Sequence, residues 1–401
     1  MISSAPSVPP LRPAVASLAR FLRSVRIGKQ ITPRVSGVLD LSRWVAAALV
    51  LVFHLGTNVL MPWAELPVEH RGAWQALLYA LLNCGDQAVL WFFVSSGFLV
   101  GGGVLASIQA RSFVLAGYAV NRTARIYAVL IPALVLGYVL DGARIFQYGL
   151  GSAGQETPEA YTAWAVLSNL LCLQTLVAPP LGSNRPLWSL AYEVWYYALF
   201  PLLLAPFWAR GRGMVAALAG AAAILAFLLV FNPGMLGSFL VWLLGVAARV
   251  CPWPLLRSQR GAWLLAALAA LAYPFLLPLL PSGAVKLLVG IAFASTLLAT
   301  RFSRNDGALP FAEWHALFAG FSYSLYLVHA PILHSVLTFL QGRADPELRL
   351  LPAGLAPLLW GVSLFVLLAV CGYVFSCFTE AHTDRLRVAL TQSLGLRRRP
   401  G

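Results

Sequence analysis

The chain has 401 residues, of which 60% are apolar and only 10% are charged, and its mean hydropathy is +0.78. A soluble domain carries roughly 25% charged residues and must present a polar surface to water. The composition therefore excludes a soluble protein and predicts an all-α, polytopic helical bundle with the lipid bilayer as its solvent. The net charge of +14 comes from basic residues between apolar runs, which indicates membrane anchoring and no nucleic-acid partner.

Ten apolar runs follow one another along the chain, each close to the roughly 20 residues that a helix needs to cross a bilayer. We predict about ten transmembrane helices, at Gly37–Leu60, Gln87–Leu105, Arg122–Leu140, Leu187–Trp208, Met214–Phe231, Met235–Arg249, Ala262–Leu280, Val285–Thr300, Ala316–Leu340 and Pro352–Phe378. A further run, Tyr161–Val177, is only moderately apolar and is followed by Ala-Pro-Pro. We expect it to lie on the outer face as a partly buried or re-entrant helix.

The basic residues give the orientation of this bundle. With ten spans and a cytoplasmic N-terminus, most of the 28 basic residues fall on the inner side, as the positive-inside rule requires. We therefore predict a multi-pass protein of a bacterial inner membrane with both termini cytoplasmic. Its regions are a basic tail over 1–36, a transmembrane domain over 37–380 and a second basic tail over 381–401. Residues 16–28 fit a short amphipathic helix on the anionic leaflet and a disordered tail equally well.

The five cysteines predict neither a metal site nor a redox motif, because no two of them form a CxxC pair. Cys84 and Cys172 both fall toward the outer face, where a disulfide between them is one alternative. Buried free thiols are the alternative that we favour.

Polar side chains inside a span are costly, and the first span contains Asp40, Arg43 and His54. Arg43 and His54 are eleven residues apart, which returns them to nearly the same helix face about 16 Å apart along the axis. Such a polar stripe favours a ligand path with Arg43 at its inner mouth and His54 in the outer half. The structural alternative is an Asp40–Arg43 pair at the interface, with His54 bonded to a backbone carbonyl.

The third span opens with Arg122 and Arg125, which share a helix face because they are three residues apart. Guanidinium groups match phosphate oxygens well, so the pair predicts a phosphate clamp at the inner face. Simple anchoring of the span in the membrane is the alternative, and the sequence does not separate the two.

Two further spans carry buried groups that suit proton transfer. Glu193 lies about 9 Å from the outer edge of the fourth span, at the same depth as His54, and could orient that imidazole. His329 lies in the ninth span at a similar depth, on one face with Ser322 and Tyr326. The alternatives are an aromatic-belt residue for Glu193 and a helix-to-helix hydrogen bond for His329.

Five of these segments, in this order, resemble the acyltransferase 3 family of integral membrane acyltransferases, from about residue 37 to residue 385. The second of them has Ser95 where the family usually has Leu, and a sixth segment, FTEAHTDRLR, is only loosely similar, since Ala381-His382 replaces Arg-Pro after Glu380. The five segments are LDLSRWVAAALVLVFHLG, GDQAVLWFFVSSGFLV, NRTARIYAVLIP, LWSLAYEVWYYALFP and FSYSLYLVHAPI.

The resemblance implies an O-acyltransferase that takes an acyl group from cytoplasmic acyl-CoA, with acetyl-CoA favoured, as its co-substrate. The acceptor would be a hydroxyl of a cell-surface carbohydrate or glycolipid at the other face, and no cofactor would be bound permanently. In this interpretation Arg43, Arg122 and Arg125 bind CoA phosphates, and His54 is the general base. Glu193 supports His54, and His329 is the rival base. The alternative is a transporter of a polysaccharide precursor or small anion.

Overall fold

A computed structural model describes residues 31–150, 157–341 and 355–396. Within these residues the fold is all-α, with an isolated β-bridge between Gln174 and Ala178. The α-helices in chain order are α1 (Pro33–Val59), α2 (Ala73–Leu82), α3 (Gly85–Ser96), α4 (Gly102–Gln109), α5 (Leu115–Tyr148), α6 (Ala163–Leu170), α7 (Trp188–Leu203), α8 (Ala205–Trp208), α9 (Gly211–Phe231), α10 (Gly234–Val250), α11 (Gln259–Leu276), α12 (Ser282–Arg301), α13 (Ala312–Gln341), α14 (Leu355–Phe378) and α15 (Thr383–Ser393).

Eight of the ten predicted spans each overlap one of these helices, whereas Gln87–Leu105 is divided between α3 and α4 and Leu187–Trp208 between α7 and α8. Seven helical segments in the described part of the chain are long and apolar enough to cross a membrane. The helices α7, α10 and α11 have 16, 17 and 18 residues and are not among the seven. The structure thus confirms an all-helical protein with several candidate membrane helices, whereas the count of ten and the orientation of the termini stay predictions. The seven segments are Pro33–Val59, Ala73–Gln109, Leu115–Tyr148, Gly211–Phe231, Ser282–Arg301, Ala312–Leu340 and Leu359–Ser393.

Polar contacts define the end of the bundle at which α1 begins, which we call the base. Arg34 donates to the side chain of Gln259 at 3.2 Å, and Gln259 donates to Thr300 at 3.0 Å. Arg301 donates to the backbone carbonyls of Ala248 and Cys251. The starts of α1 and α11 therefore meet the ends of α10 and α12. We call the opposite end, where α1 finishes at Val59, the top.

Close backbone packing joins α3 to α10. A Cβ atom added at Gly97 would lie 1.9 Å from the carbonyl oxygen of Trp242, and one added at Gly245 would lie 1.9 Å from that of Val94. Small residues at such crossings let two helices approach without a side chain between them. The chain makes a π-helical turn over Gly97–Gly101 at this crossing before it continues as α4.

Helix α13 lies at the centre of the bundle, because it packs in parallel against both α1 and α5. Against α1, the Trp44 indole donates to Nδ1 of His315 at 3.2 Å near the base, and the rings of His54 and His329 meet near the top. Against α5, the Tyr323 hydroxyl donates to the carbonyl of Ile126. Polar residues predicted on three separate spans are thereby brought to one region.

The segment 157–187 folds back over the top of the bundle. Within the run Tyr161–Val177, only the eight residues of α6 form an α-helix, so the helix is shorter than we expected. The run does not form a spanning helix, as we expected. Buried Asp141, at the top of α5, accepts hydrogen bonds from the backbone and side chain of Ser183 at 2.8 Å and pairs with Arg144. These bonds fix the segment above the central helices.

The described cysteines are free thiols, so the structure contains no Cys84–Cys172 disulfide. Both side chains are buried, and burial raises the pKa of the Cys172 thiol to about 12. A thiol in that state is a poor nucleophile at neutral pH. The alternatives for residues 16–28 lie outside the described residues, whereas part of the predicted C-terminal tail forms α15.

Candidate active site

A cavity of about 1230 Å³ extends from the base into the middle of the bundle. Its walls come from α1, α3, α4, α5, α7, α13 and α14, and it is larger than the 300–1,000 Å³ that is usual for a small-ligand pocket. We call it the base cavity. Four of the six predicted site residues line it, namely Arg43, Arg122, Arg125 and Glu193.

The mouth of the base cavity is polar. Ser107 and Ser112 line it from the connection between α4 and α5, and Cys377 and Ala381 line it from the end of α14. Asn121, which is exposed, lies beside them on α5. The mouth therefore offers polar groups to a ligand that enters from the base.

Arg122 places a guanidinium group with an unpaired donor inside the cavity. Its guanidinium lies over the Tyr197 ring at 5.8 Å, and its Nε is buried and has no hydrogen-bond partner in the part of the chain that the structure describes. Buried donors without partners are rare in native proteins, and one that lines a cavity suggests a ligand. Arg43 lines the same cavity and makes only a long contact with Asp40, at 3.9 Å.

Arg125 is already paired. Its guanidinium lies 2.6 Å from the carboxylate of Glu380, which is only 8% exposed and also accepts hydrogen bonds from the backbone and hydroxyl of Ser324. Glu380 thus joins α5 to α13 just beyond the end of α14. Sequence reasoning assigned Glu380 no role, because its segment departs from the family pattern at the next two residues.

Glu193 lies in the base cavity among hydroxyl groups. Its carboxylate lies near the hydroxyls of Ser96 and Tyr197, which are themselves 2.9 Å apart, and the charges of Arg122 and Arg43 act on it. The Trp242 indole donates to Ser96 from the far side. Ser96, beside the π-helical turn, and Tyr197 are site residues that the sequence analysis missed.

The predicted pairing of Glu193 with His54 differs from the structure, which places the two residues on different cavities. The predicted depth of Glu193 was counted from Leu187 as the outer edge of the span. In the structure Leu187 is itself buried, as the last residue of the folded segment 157–187, so Glu193 lies deeper than predicted.

A second, much smaller cavity of about 70 Å³ lies toward the top and contains His54. We call it the top cavity. Asp86 and Arg185 line it and are exposed, so it can be reached from the top of the bundle. Pro186 and Trp188 complete the wall on the side of α7.

His54 faces His329, with ring centroids 5.1 Å apart. Nδ1 of His329 lies 2.9 Å from the carbonyl oxygen of Tyr326 and 3.2 Å from that of Leu325. A carbonyl only accepts, so Nδ1 carries the proton and Nε2 keeps its lone pair. That Nε2 is buried without a hydrogen-bond partner among the described residues, which makes His329 a proton acceptor poised beside His54.

Val89 and Tyr326 line both cavities and form the partition between them. The Tyr326 hydroxyl lies 2.6 Å from the Ser189 hydroxyl and donates to the carbonyl of Pro186 at 3.1 Å. Both side chains of the partition are buried. A group in the base cavity and a group in the top cavity therefore come closest to each other at Val89 and Tyr326.

No group of three or more metal-ligating side chains could hold a metal ion within the described residues.

Comparison with known proteins identifies the class of this site. The model of the acyltransferase domain family matches residues 37–377, so the chain belongs to that family of membrane acyltransferases. An uncharacterized protein of Haemophilus influenzae is similar, at 38% identity over 117 residues. That match covers 28% of this chain and 46% of the relative, so the chain spans less than half of the relative's length. No solved structure matches the chain.

Proposed function

We propose that this protein is an O-acyltransferase that moves an acyl group from acyl-CoA to a hydroxyl of a cell-surface carbohydrate or glycolipid. The observation that carries the proposal is the pair of cavities that open toward opposite ends of the bundle and share the partition of Val89 and Tyr326. In a multi-pass protein of the bacterial inner membrane, the basic base would face the cytoplasm, where acyl-CoA is present.

The base cavity suits the donor. Arg122, with its unpartnered buried Nε, and Arg43 would bind phosphate groups of CoA, because guanidinium groups match phosphate oxygens in charge and geometry. Arg125 contributes less, since Glu380 already compensates its charge. The rise of roughly 16 Å from Arg43 to His54 along α1 matches the reach of an extended pantetheine arm.

The top cavity suits the acceptor and the proton transfer. The hydroxyl oxygen of the acceptor attacks the thioester carbonyl carbon, and His54 takes the hydroxyl proton as the new C–O bond forms. The tetrahedral intermediate then collapses, the C–S bond breaks, and His54 returns the proton to the departing thiolate of CoA. His329 is the alternative base, because its Nε2 lone pair is free to accept a proton.

The same two cavities also fit a carrier, since alternate access to a central partition could move a polysaccharide precursor or small anion without chemistry. The two functions differ in whether the thioester is cleaved.

To test this, the purified protein in lipid nanodiscs is incubated with acetyl-CoA labelled in the acetyl group, together with surface glycans from cells that lack the protein.

An acetyltransferase releases free CoA thiol and adds an acetyl mass increment to the glycan, and mass spectrometry of that glycan identifies the acceptor. The His54→Ala protein, reconstituted in parallel, controls for spontaneous acetylation. Intact acetyl-CoA after prolonged incubation, combined with uptake of the glycan precursor by sealed proteoliposomes that contain the protein, would contradict the proposal and favour the carrier.

A further inference from the structure

The direction of donor entry determines which end of the donor meets the partition. If the nucleotide of acyl-CoA stays near Arg43 and Arg122, the pantetheine arm extends toward Val89 and Tyr326 with the acyl group at its leading end. For the carbonyl carbon to meet an acceptor hydroxyl beside His54, the rest of the acyl group must project past the partition. The acyl chain then occupies the top cavity and not the base cavity.

The two cavities differ greatly in size. The base cavity measures about 1230 Å³, whereas the top cavity measures about 70 Å³ and must also admit the acceptor hydroxyl. The smaller volume has room for on the order of five water-sized groups. An acetyl group and an acceptor hydroxyl fill it together, whereas a hexanoyl chain alone would overfill it.

The partition has little freedom to widen. Val89 is 5% exposed, and its β-branched side chain has one strongly preferred rotamer in a helix. One turn away, Gly85 packs so closely against Phe53 that a Cβ atom there would collide with the ring. Tyr326 is held through its hydroxyl by Ser189 and Pro186. Two independent sets of contacts therefore fix the two side chains.

We propose that Val89 limits the length of the acyl group that this protein transfers, so that its donors are short-chain acyl-CoAs. The inference rests on the proposed acyl-CoA function and adds the substrate class. Val89 acts through its size alone, because its side chain lines the top cavity and the passage into it and so reduces the room left for the acyl chain. No bond to the side chain is made or broken during transfer.

The experiment measures transfer from an equimolar mixture of acetyl-, butyryl- and hexanoyl-CoA, with the products separated by mass. We expect the wild-type protein to favour acetyl strongly. Val89→Ala should raise the hexanoyl-to-acetyl product ratio about 10-fold or more, since a pocket discriminates methylene groups by roughly that factor. Val89→Ile, which narrows the passage, should lower the butyryl-to-acetyl ratio.

Val94→Ala is the matched control, because Val94 is a buried valine on the same helix that lines neither cavity. Its product ratios should equal those of the wild type. A wild-type protein that transfers hexanoyl as readily as acetyl would overturn the inference, and so would unchanged ratios in both Val89 variants while acetyl transfer persists. Absence of transfer from every donor by the wild type would instead contradict the proposed function, and this inference with it.

Discussion

At the scale of single residues, the proposed chemistry rests on the two facing histidines, His54 and His329. His329 is held by backbone carbonyls through Nδ1, which leaves Nε2 open toward the region of His54. His54 in turn lines the cavity that an acceptor can reach from the top. The structure thus separates an imidazole fixed in orientation from an imidazole that lines the top cavity.

His54→Ala should lower the rate of acyl transfer by about 10²–10⁴-fold at saturating acyl-CoA, which is the usual contribution of a general base. Binding of acyl-CoA should be unchanged, because His54 does not line the base cavity. The measurement is the turnover number together with acyl-CoA affinity in nanodiscs, and His329→Ala is assayed beside it. Near-normal turnover of His54→Ala would reject the assignment, and a loss confined to His329→Ala would move the base to α13.

Arg122 and Arg125 should behave differently although they lie one helical turn apart. Arg122→Ala should raise the KM for acyl-CoA with little change in thermal stability, because its Nε has no protein partner to lose. Arg125→Ala should lower the Tm, because it leaves the buried carboxylate of Glu380 without its cation. Titration calorimetry and a thermal-unfolding scan of both variants check this contrast. Equal effects on KM and on Tm in the two variants would refute it.

The sequence identified several site residues because a polar group in a membrane span is conspicuous. His54, Arg43, Arg122 and His329 all stand out in this way, and each lies at a cavity or beside one in the structure. The partner of Arg125 could not be predicted, because Glu380 is distant in sequence and its local motif is incomplete. Depth along a helix also failed for Glu193, since a rise count does not show how far the preceding segment is buried.

At the scale of elements, the crossing of α3 with α10 positions one wall of the base cavity. Ser96, just before the π-helical turn, reaches both Tyr197 and the indole of Trp242 on α10. The position of this hydroxyl beside Glu193 therefore depends on how closely the two helices approach. The approach depends in turn on Gly97 and Gly245.

Gly245→Ala should lower the Tm strongly and reduce acyl transfer, because the new methyl group would collide with the carbonyl oxygen of Val94. Gly237→Ala on the same helix is the control, since nothing lies within 4 Å of a Cβ atom there. That substitution should leave the Tm unchanged or raise it slightly, because alanine is the better helix former. A Gly245→Ala protein as stable as Gly237→Ala would show that the close crossing is absent.

The positions of the helices were predictable because long apolar runs between charged segments admit few alternatives. The start of α1 and the end of α14 agree with the predicted spans within a few residues. The π-helical turn at Gly97–Gly101 and the separation of α7 from α8 were not predictable. They depend on contacts with helices that are distant in sequence.

The molecule as a whole is a bundle in which one helix, α13, packs against both the first span and the arginine-bearing span. This arrangement places Arg122 and Glu193 in the base cavity and His54 in the top cavity, with the partition of Val89 and Tyr326 between them. Family membership agrees with an acyltransferase, and the charge pattern predicts that the base is cytoplasmic. The proposed reaction therefore requires donor and acceptor to approach from opposite faces of the membrane.

Sided acyl transfer in membrane vesicles tests that requirement most directly. Labelled acetyl-CoA is added outside inverted vesicles and outside right-side-out vesicles that contain the protein, and acetylated acceptor is measured in both. We predict transfer only in inverted vesicles, with the product on the lumenal side and with none formed by the His54→Ala protein. Equal transfer in both orientations, or a product on the same face as the added acetyl-CoA, would contradict a reaction across the Val89–Tyr326 partition.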